Sequence, residues 1–241
     1  MKDTFSHVRH WVFDLDNTLY PPEMRLFDQI EKRMTSYVMN SLNVTADQAQ
    51  DLRVSYWKTY GTTLAGLMAN HDLDPVPFLE DVHDISFDVL SPDTELRAQI
   101  AALPGRKLVY TNGSRQHAER VTEYMKLGAS FDGLFGIEDS DYTPKPTQSA
   151  YDAFCRHHDV DPARAVFFED LERNLKPAHA MGFATVLVHS KKDWSHEPVE
   201  ARPAGAQDAG EPHVDYVTGN LTGFLQDVLR TLQPEWGESG R

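Results

Sequence analysis

The chain has 241 residues, 40% of them hydrophobic, which suits one globular domain or a core domain with a smaller insertion. Its 37 acidic residues against 23 Lys and Arg give a formal net charge of −14, which argues against duplex nucleic acid or an anionic membrane as partner. No apolar run approaches the roughly 18 residues of a membrane span, the start MKDTFSHVRH is no signal peptide, and the single Cys155 rules out an internal disulfide, so a cytoplasmic location is expected.

In chain order, the first strand-like run covers residues 9–14 and leads through WVFDLDNTLY, residues 11–20. A strand turns alternate side chains to one face, so Asp14 and Asp16 point the same way. Carboxylates that close repel unless a cation lies between them or one keeps its proton. Residues 20–92 then contain no convincing strand. Phe27, Ile30, Met34, Val38 and Leu42 recur at helical spacing, and Thr45-Ala-Asp-Gln has the form of a capping box that opens a helix over Ala46–Tyr60. This block reads as a helical module inserted after the first strand, because a structureless insertion of that length is uncommon.

A second strand, 106–111, runs into Thr111-Asn112-Gly113-Ser114 and a helix over Ser114–Leu127. A hydroxyl and exposed amides at a helix start form an arrangement that binds anions. A third strand spans 133–138, and Lys145 follows in Thr-Pro-Lys-Pro, its backbone stiffened by the prolines. A helix over Thr147–His157 precedes a fourth strand, 165–170, which ends in Glu169-Asp170. Next come a helix over Asn174–Met181 and a fifth strand, 184–188. Residues 190–213, rich in Pro, Gly, Ala and charge without periodicity, read as a mobile surface loop. A short strand over Asp215–Thr218, a helix cap at Asn220 and a helix over Leu221–Leu232 close the chain.

The alternation predicts an α/β fold, a doubly wound parallel-sheet (Rossmann-like) core with an inserted helical cap. Residues 1–19 and 93–241 would form the core and 20–92 the cap. Ligands of open parallel sheets bind beyond the carboxyl ends of the strands, so Asp14, Asp16, Thr111, Glu169 and Asp170 should converge there. Taken singly, Asn-Gly is a turn signal, Lys145 a solvated lysine and Glu169-Asp170 a helix start. In this order, at strand ends, they read as one site.

The set DLDNT, TNG, KP and ED followed by Asn174-Leu resembles the motifs of the haloacid dehalogenase superfamily of phosphohydrolases. The resemblance implies that Asp14 is a nucleophile and Asp16 an acid/base. It implies that Thr111, Asn112, Gly113 and Lys145 hold the phosphoryl group. Mg2+ would be bound by Asp14, the backbone carbonyl of Asp16 and Asp170, with Glu169 near or behind it. Haloacid dehalogenases of this superfamily carry no acid two places after the nucleophile, having no leaving oxygen to protonate. Asp16 therefore favours phosphate chemistry, and it would have to be kept protonated at first.

Within the insertion, LFDQIEKRM (26–34), YWKTYGTTLAGL (56–67) and VHDISFDVLSPDTELR (82–97) look like the pyrimidine 5′-nucleotidase group. That likeness implies a cap over the phosphate pocket, with Tyr20, Tyr56, Tyr60 and Gly61 as candidates to meet the substrate. Trp57 reads as packing, and His157-His158 as solvated residues near a helix C-terminus. The reading is a magnesium-dependent phosphomonoesterase acting on a small phosphorylated metabolite, a pyrimidine nucleotide first. The alternatives are a sugar phosphate or phosphoglycolate phosphatase, a phosphomutase, or a non-catalytic binding protein on the same fold.

Overall fold

The computed structural model describes residues 2–190, 192 and 210–232. Most of the 190–213 stretch, and with it the reading of a mobile loop, lies outside the described residues. The described chain forms one six-stranded parallel sheet: β1 (His10–Phe13), β2 (Arg106–Tyr110), β3 (Gly133–Phe135), β4 (Ala165–Glu169), β5 (Ala184–Val188) and β6 (Tyr216–Thr218). Their spatial order is β3-β2-β1-β4-β5-β6, so the first strand is central. Trp11 and Phe13 leave β1 on one face with Val109, Val166 and Phe168. Val12 leaves on the other with Leu108, Phe167 and Leu187. A parallel sheet buried on both faces accounts for the near-continuous apolar runs HWVF, KLVY and AVFF.

The helices are α1 (Lys2–Phe5), α2 (Leu26–Leu42), α3 (Ala46–Tyr60), α4 (Thr63–His71), α5 (Pro75–Val82), α6 (Thr94–Ala102), α7 (Arg115–Tyr124), α8 (Gln148–His158), α9 (Glu172–Met181) and α10 (Leu221–Leu232). Four of them, α2 to α5, fall within residues 20–92, where the sequence calls for a helical insertion. The capping box of α3 is complete: Gln48 N donates to Thr45 Oγ1 at 3.3 Å, and Thr45 N to Gln48 Oε1 at 2.9 Å. Asn220 Oδ1 likewise accepts from Gly223 N at 3.1 Å. Four of the expected strands are longer than those observed at their carboxyl ends. Asp14, Thr111 and Asp170 fall just beyond β1, β2 and β4, and residues 137–140 turn as a short 3-10 helix instead of extending β3.

Inside the insertion, α3 and α4 approach closely because Gly66 has no side chain. A Cβ built there would lie 2.2 Å from the Tyr56 ring. Tyr56 is buried and its hydroxyl meets His71 Nε2 at 2.6 Å, so the ring is held at both ends. Gly66→Ala should therefore lower stability by about 1–3 kcal/mol, the usual range for overpacking. Chemical denaturation measures it, and an unchanged midpoint would show that the ring yields freely.

Candidate active site

Asp14 N donates to Phe168 O at 2.9 Å, so the chain leaving β1 is still tied to β4 where the first acid stands. The chain goes from β1 to β2 and β3 on one side, then returns to β4 on the other, and this reversal opens a crevice beyond β1 and β4. The register pairs Phe13 with Phe168, which places Asp14 beside Glu169. Lys145 enters from the loop after β3 and is 1% exposed. Its Nζ donates to Asp14 Oδ1 at 2.6 Å, Glu169 Oε2 at 2.7 Å and Tyr110 O at 3.0 Å. These are all three donors of an ammonium. The Tyr110 and Phe167 rings lie 5.1 and 5.2 Å from the same nitrogen. In this geometry Lys145 offers a phosphoryl group charge, its hydrogen bonds being already committed.

Burial works against the Lys145 ammonium, but Asp14 and Glu169 outweigh it and hold its pKa above the ordinary lysine value. The carboxylates pay the other side of this arrangement. Burial, then the Glu169 charge, push Asp14 up to about 7 although Lys145 pulls it down. Burial and the charges of Glu169 and Asp14 raise Asp170 well above the carboxylate range. One ammonium thus faces three buried carboxylates, whose oxygens lie within 4.8 Å of one another. A set of hard oxygen donors with uncompensated negative charge fits a divalent cation such as Mg2+. Of the three, Glu169 has one oxygen on Lys145 and the other on Leu171 N at 3.2 Å.

The turn after β2 is organised for the same crevice. Thr111, 2% exposed, accepts from Gly113 N on Oγ1 at 2.9 Å. Asn112 clamps the Lys145 main chain both ways, Oδ1 accepting from Lys145 N at 2.8 Å and Nδ2 donating to Lys145 O at 3.2 Å. Its side chain is thereby committed to holding the lysine's backbone.

Asp16 stands apart from this cluster. Tyr20 donates its hydroxyl to Asp16 Oδ1 at 2.5 Å, and His117 Nε2 lies 2.9 Å from the same oxygen. Burial favours a protonated Asp16, but the charge and hydrogen bond of His117 and the Tyr20 hydroxyl outweigh it, and its pKa lies below the ordinary value. The expectation of a carboxyl kept protonated is thus reversed in the structure, because two donors converge on Oδ1. Against His117 stacks His83, centroid to centroid 4.3 Å at 13°. Burial and then His117 push His83 down to about 3, so it is neutral. The sequence reading passed over both histidines. The signal for His117 was its place in the first turn of the helix that follows TNGS, where a side chain is carried toward the strand ends.

Asp14, Asp16, Thr111, Lys145 and Asp170 line a cavity of about 480 Å3 that reaches up to the apolar side chains Ile30, Met34, Val54 and Phe78 of the insertion. Gly61 lines it, with a φ of +91° and a virtual Cβ only 3.1 Å from Lys145 O, so a glycine is required where the insertion meets the core. Tyr20 reaches it only through Asp16. Tyr56 and Tyr60 do not line it: Tyr56 packs on Gly66, and Tyr60 is largely outside with its hydroxyl 3.3 Å from Asn70 Oδ1. Of the three aromatic residues Tyr56, Trp57 and Tyr60, it is Trp57, read from sequence as packing, that lines the wall. Arg173, from the first turn of α9, lies 3.8 Å over that ring and donates to Trp57 O at 3.2 Å and Gly61 O at 3.1 Å.

A family model described as haloacid dehalogenase-like hydrolase matches residues 8–182. Over 202 residues the chain is 27% identical to Phosphate metabolism protein 8 of Saccharomyces cerevisiae, covering 77% of this chain and 62% of that protein, so it spans less than two thirds of that relative's length. An L-2-haloacid dehalogenase from Xanthobacter autotrophicus superposes with a TM-score of 0.58 at 15% identity, over 92% of this chain and 98% of that one. A HAD phosphatase from Thermococcus onnurineus gives the same TM-score, identity and coverage. At such identities the likeness is one of fold, and it does not divide dehalogenase from phosphatase.

The raised Asp14 and Asp170 have a consequence for stability. A carboxyl whose folded pKa exceeds its unfolded value binds protons more tightly when folded, so its contribution falls as pH climbs from the unfolded value toward the folded one. With chelator present, the thermal midpoint should decline between about pH 5 and pH 8, because Asp14 titrates near 7. Magnesium should raise the midpoint most at the upper end, where it binds the ionised acids. A metal-independent midpoint across this range would remove the cation from the acidic cluster.

Proposed function

Because the chain belongs to the haloacid dehalogenase-like hydrolases, we propose that it is a magnesium-dependent phosphomonoesterase working through an aspartyl-phosphate on Asp14, with residues 20–92 as its cap. The observation that carries this reading is the separation of two acids that the sequence places side by side. Asp14 is bonded to Lys145, and Asp16 to His117 and Tyr20. A nucleophile and a proton carrier require such separate surroundings.

When bound, Mg2+ would neutralise charge between the phosphoryl group and the attacking carboxylate, a role for which Asp14 and Asp170 are the candidate side-chain ligands and Glu169 the residue behind them. Lys145 fixes Asp14 by Oδ1 and keeps positive charge beside the incoming dianion. Asp14 attacks phosphorus as the ester P–O bond breaks. Asp16, ionised in the free site, takes up a proton from solvent as the substrate's negative charge arrives beside it and gives that proton to the departing oxygen. Water then attacks phosphorus, Asp16 takes its proton, and the bond from phosphorus to the Asp14 oxygen breaks to release phosphate. The Thr111 hydroxyl and the backbone N–H of Asn112 supply directed hydrogen bonds to the phosphoryl oxygens.

The phosphoryl residues read every phosphate ester alike, so selection falls to the insertion. Its likeness to pyrimidine 5′-nucleotidases and the apolar wall with Trp57 support a nucleoside monophosphate with a flat, small base. Phosphate release from nucleoside monophosphates and sugar phosphates, with magnesium and with chelator, tests this. UMP, CMP or dTMP should lead in kcat/KM, chelator should abolish release, and folded Asp14→Asn should lose several powers of ten. Substantial turnover by Asp14→Asn would exclude the covalent route. Sugar phosphates or purine nucleotides leading would keep the phosphatase and discard the nucleotidase.

A further inference from the structure

Asp16 uses one of its two oxygens to hold its place. Tyr20 and His117 both meet Oδ1, and among the described residues no hydrogen bond reaches Oδ2. Oδ2 lies on the Gly113 side, 3.6 Å from where a Cβ on that glycine would stand, and both residues line the cavity. A carboxyl held by a single oxygen leaves the other as the atom that can exchange a proton with a ligand.

The imidazole of His117 has no exposed surface, and its Nδ1 has no hydrogen-bond partner among the described residues. Among the described residues its contact with Asp16 is thus the one hydrogen bond of the ring. Burying an imidazole is unfavourable compared with an apolar side chain of similar size unless its hydrogen bond matters. The ring is also held on other sides. His83 stacks on one face and Phe87 lies 6.3 Å away by centroid. Ser114 Oγ accepts from His117 N at 3.1 Å and lies 3.1 Å from His83 Nδ1. Arg120 donates to His83 O at 2.9 Å, which fixes the residue that backs the ring.

We propose that His117 is a positioning residue that, with Tyr20, pins Asp16 by Oδ1 and leaves Oδ2 to carry the proton to the leaving oxygen. The inference rests on the phosphomonoesterase reading. It assigns a part to a histidine from α7, on the far side of β2 from the acidic cluster, and it makes the stacked His83 the support that keeps the ring in place.

The test uses His117→Phe, which keeps a ring against His83 and removes the N–H. It compares kcat/KM, which reports the first phosphoryl transfer, for a nucleoside monophosphate and for 4-nitrophenyl phosphate. An alkoxide leaving group needs the proton and 4-nitrophenolate does not. Misplacing a general acid should lower the first by about 10- to 100-fold and leave the second within about 3-fold. His117→Gln, which keeps a side-chain N–H, should recover most of the difference, and Tyr20→Phe should show the same asymmetry should His117→Phe fail to fold. Equal losses on both substrates, or none, overturn the inference while leaving the phosphatase in place. A wild-type protein that hydrolyses neither ester overturns the phosphatase reading and this inference with it.

Discussion

The geometry of the crevice depends on one buried ammonium. Lys145 is enclosed by Asp14, Glu169, the Tyr110 carbonyl and two aromatic rings, and without it Asp14 and Glu169 would lose the positive charge that both are bonded to. Removing one partner of a buried ionic network leaves the others uncompensated, which is far more unfavourable than never having buried them. The surrounding chain is arranged to keep the lysine there: Asn112 bonds its backbone twice, and Gly61 lets the insertion close over it. Even so the charges do not balance, and the residual negative charge is what a divalent cation would complete.

Much of this was legible in the sequence because the fold concentrates its chemistry at strand ends. DLDNT, TNG and ED are short, lie where apolar runs stop, and stand in a fixed order, so their convergence follows from parallel topology, while TPKP joins them from the loop after β3. The capping box at Thr45 and the cap at Asn220 were equally legible, since both are local hydrogen-bond patterns. The ends of strands were harder to read. Nothing in a sequence marks the residue at which the ladder gives way to a turn, and the expected strands include Asp14, Thr111 and Asp170, each one residue beyond the observed end.

The insertion was legible as helices and illegible as a surface. Which face of α3 meets the cavity depends on how α2, α4 and α5 pack around it, and that is settled by contacts such as Tyr56 on Gly66. Tyr56 and Tyr60 therefore turned out to serve packing and the outer surface, while Trp57, one residue from Tyr56, came to the wall. His83 and His117 escaped notice for a related reason. They are 34 positions apart in sequence, and only the docking of the insertion's return segment on α7 stacks them.

Arg173 bears on how an anion enters a chain of net charge −14. The carboxyl end of α3 opens on the cavity, and aligned peptide dipoles give a helix end of this kind roughly half a negative charge. Left bare, that end would repel a phosphate from the space where the phosphate must settle. Arg173 covers it, binding the carbonyls of Trp57 and Gly61 while its guanidinium carbon lies 3.8 Å over the indole. The helix dipole is thereby reversed in its effect: the potential at the threshold of the pocket is set by a fixed cation and not by unpaired carbonyls. Acidic as the molecule is, an arriving dianion meets positive charge at the carboxyl end of α3 and again at Lys145.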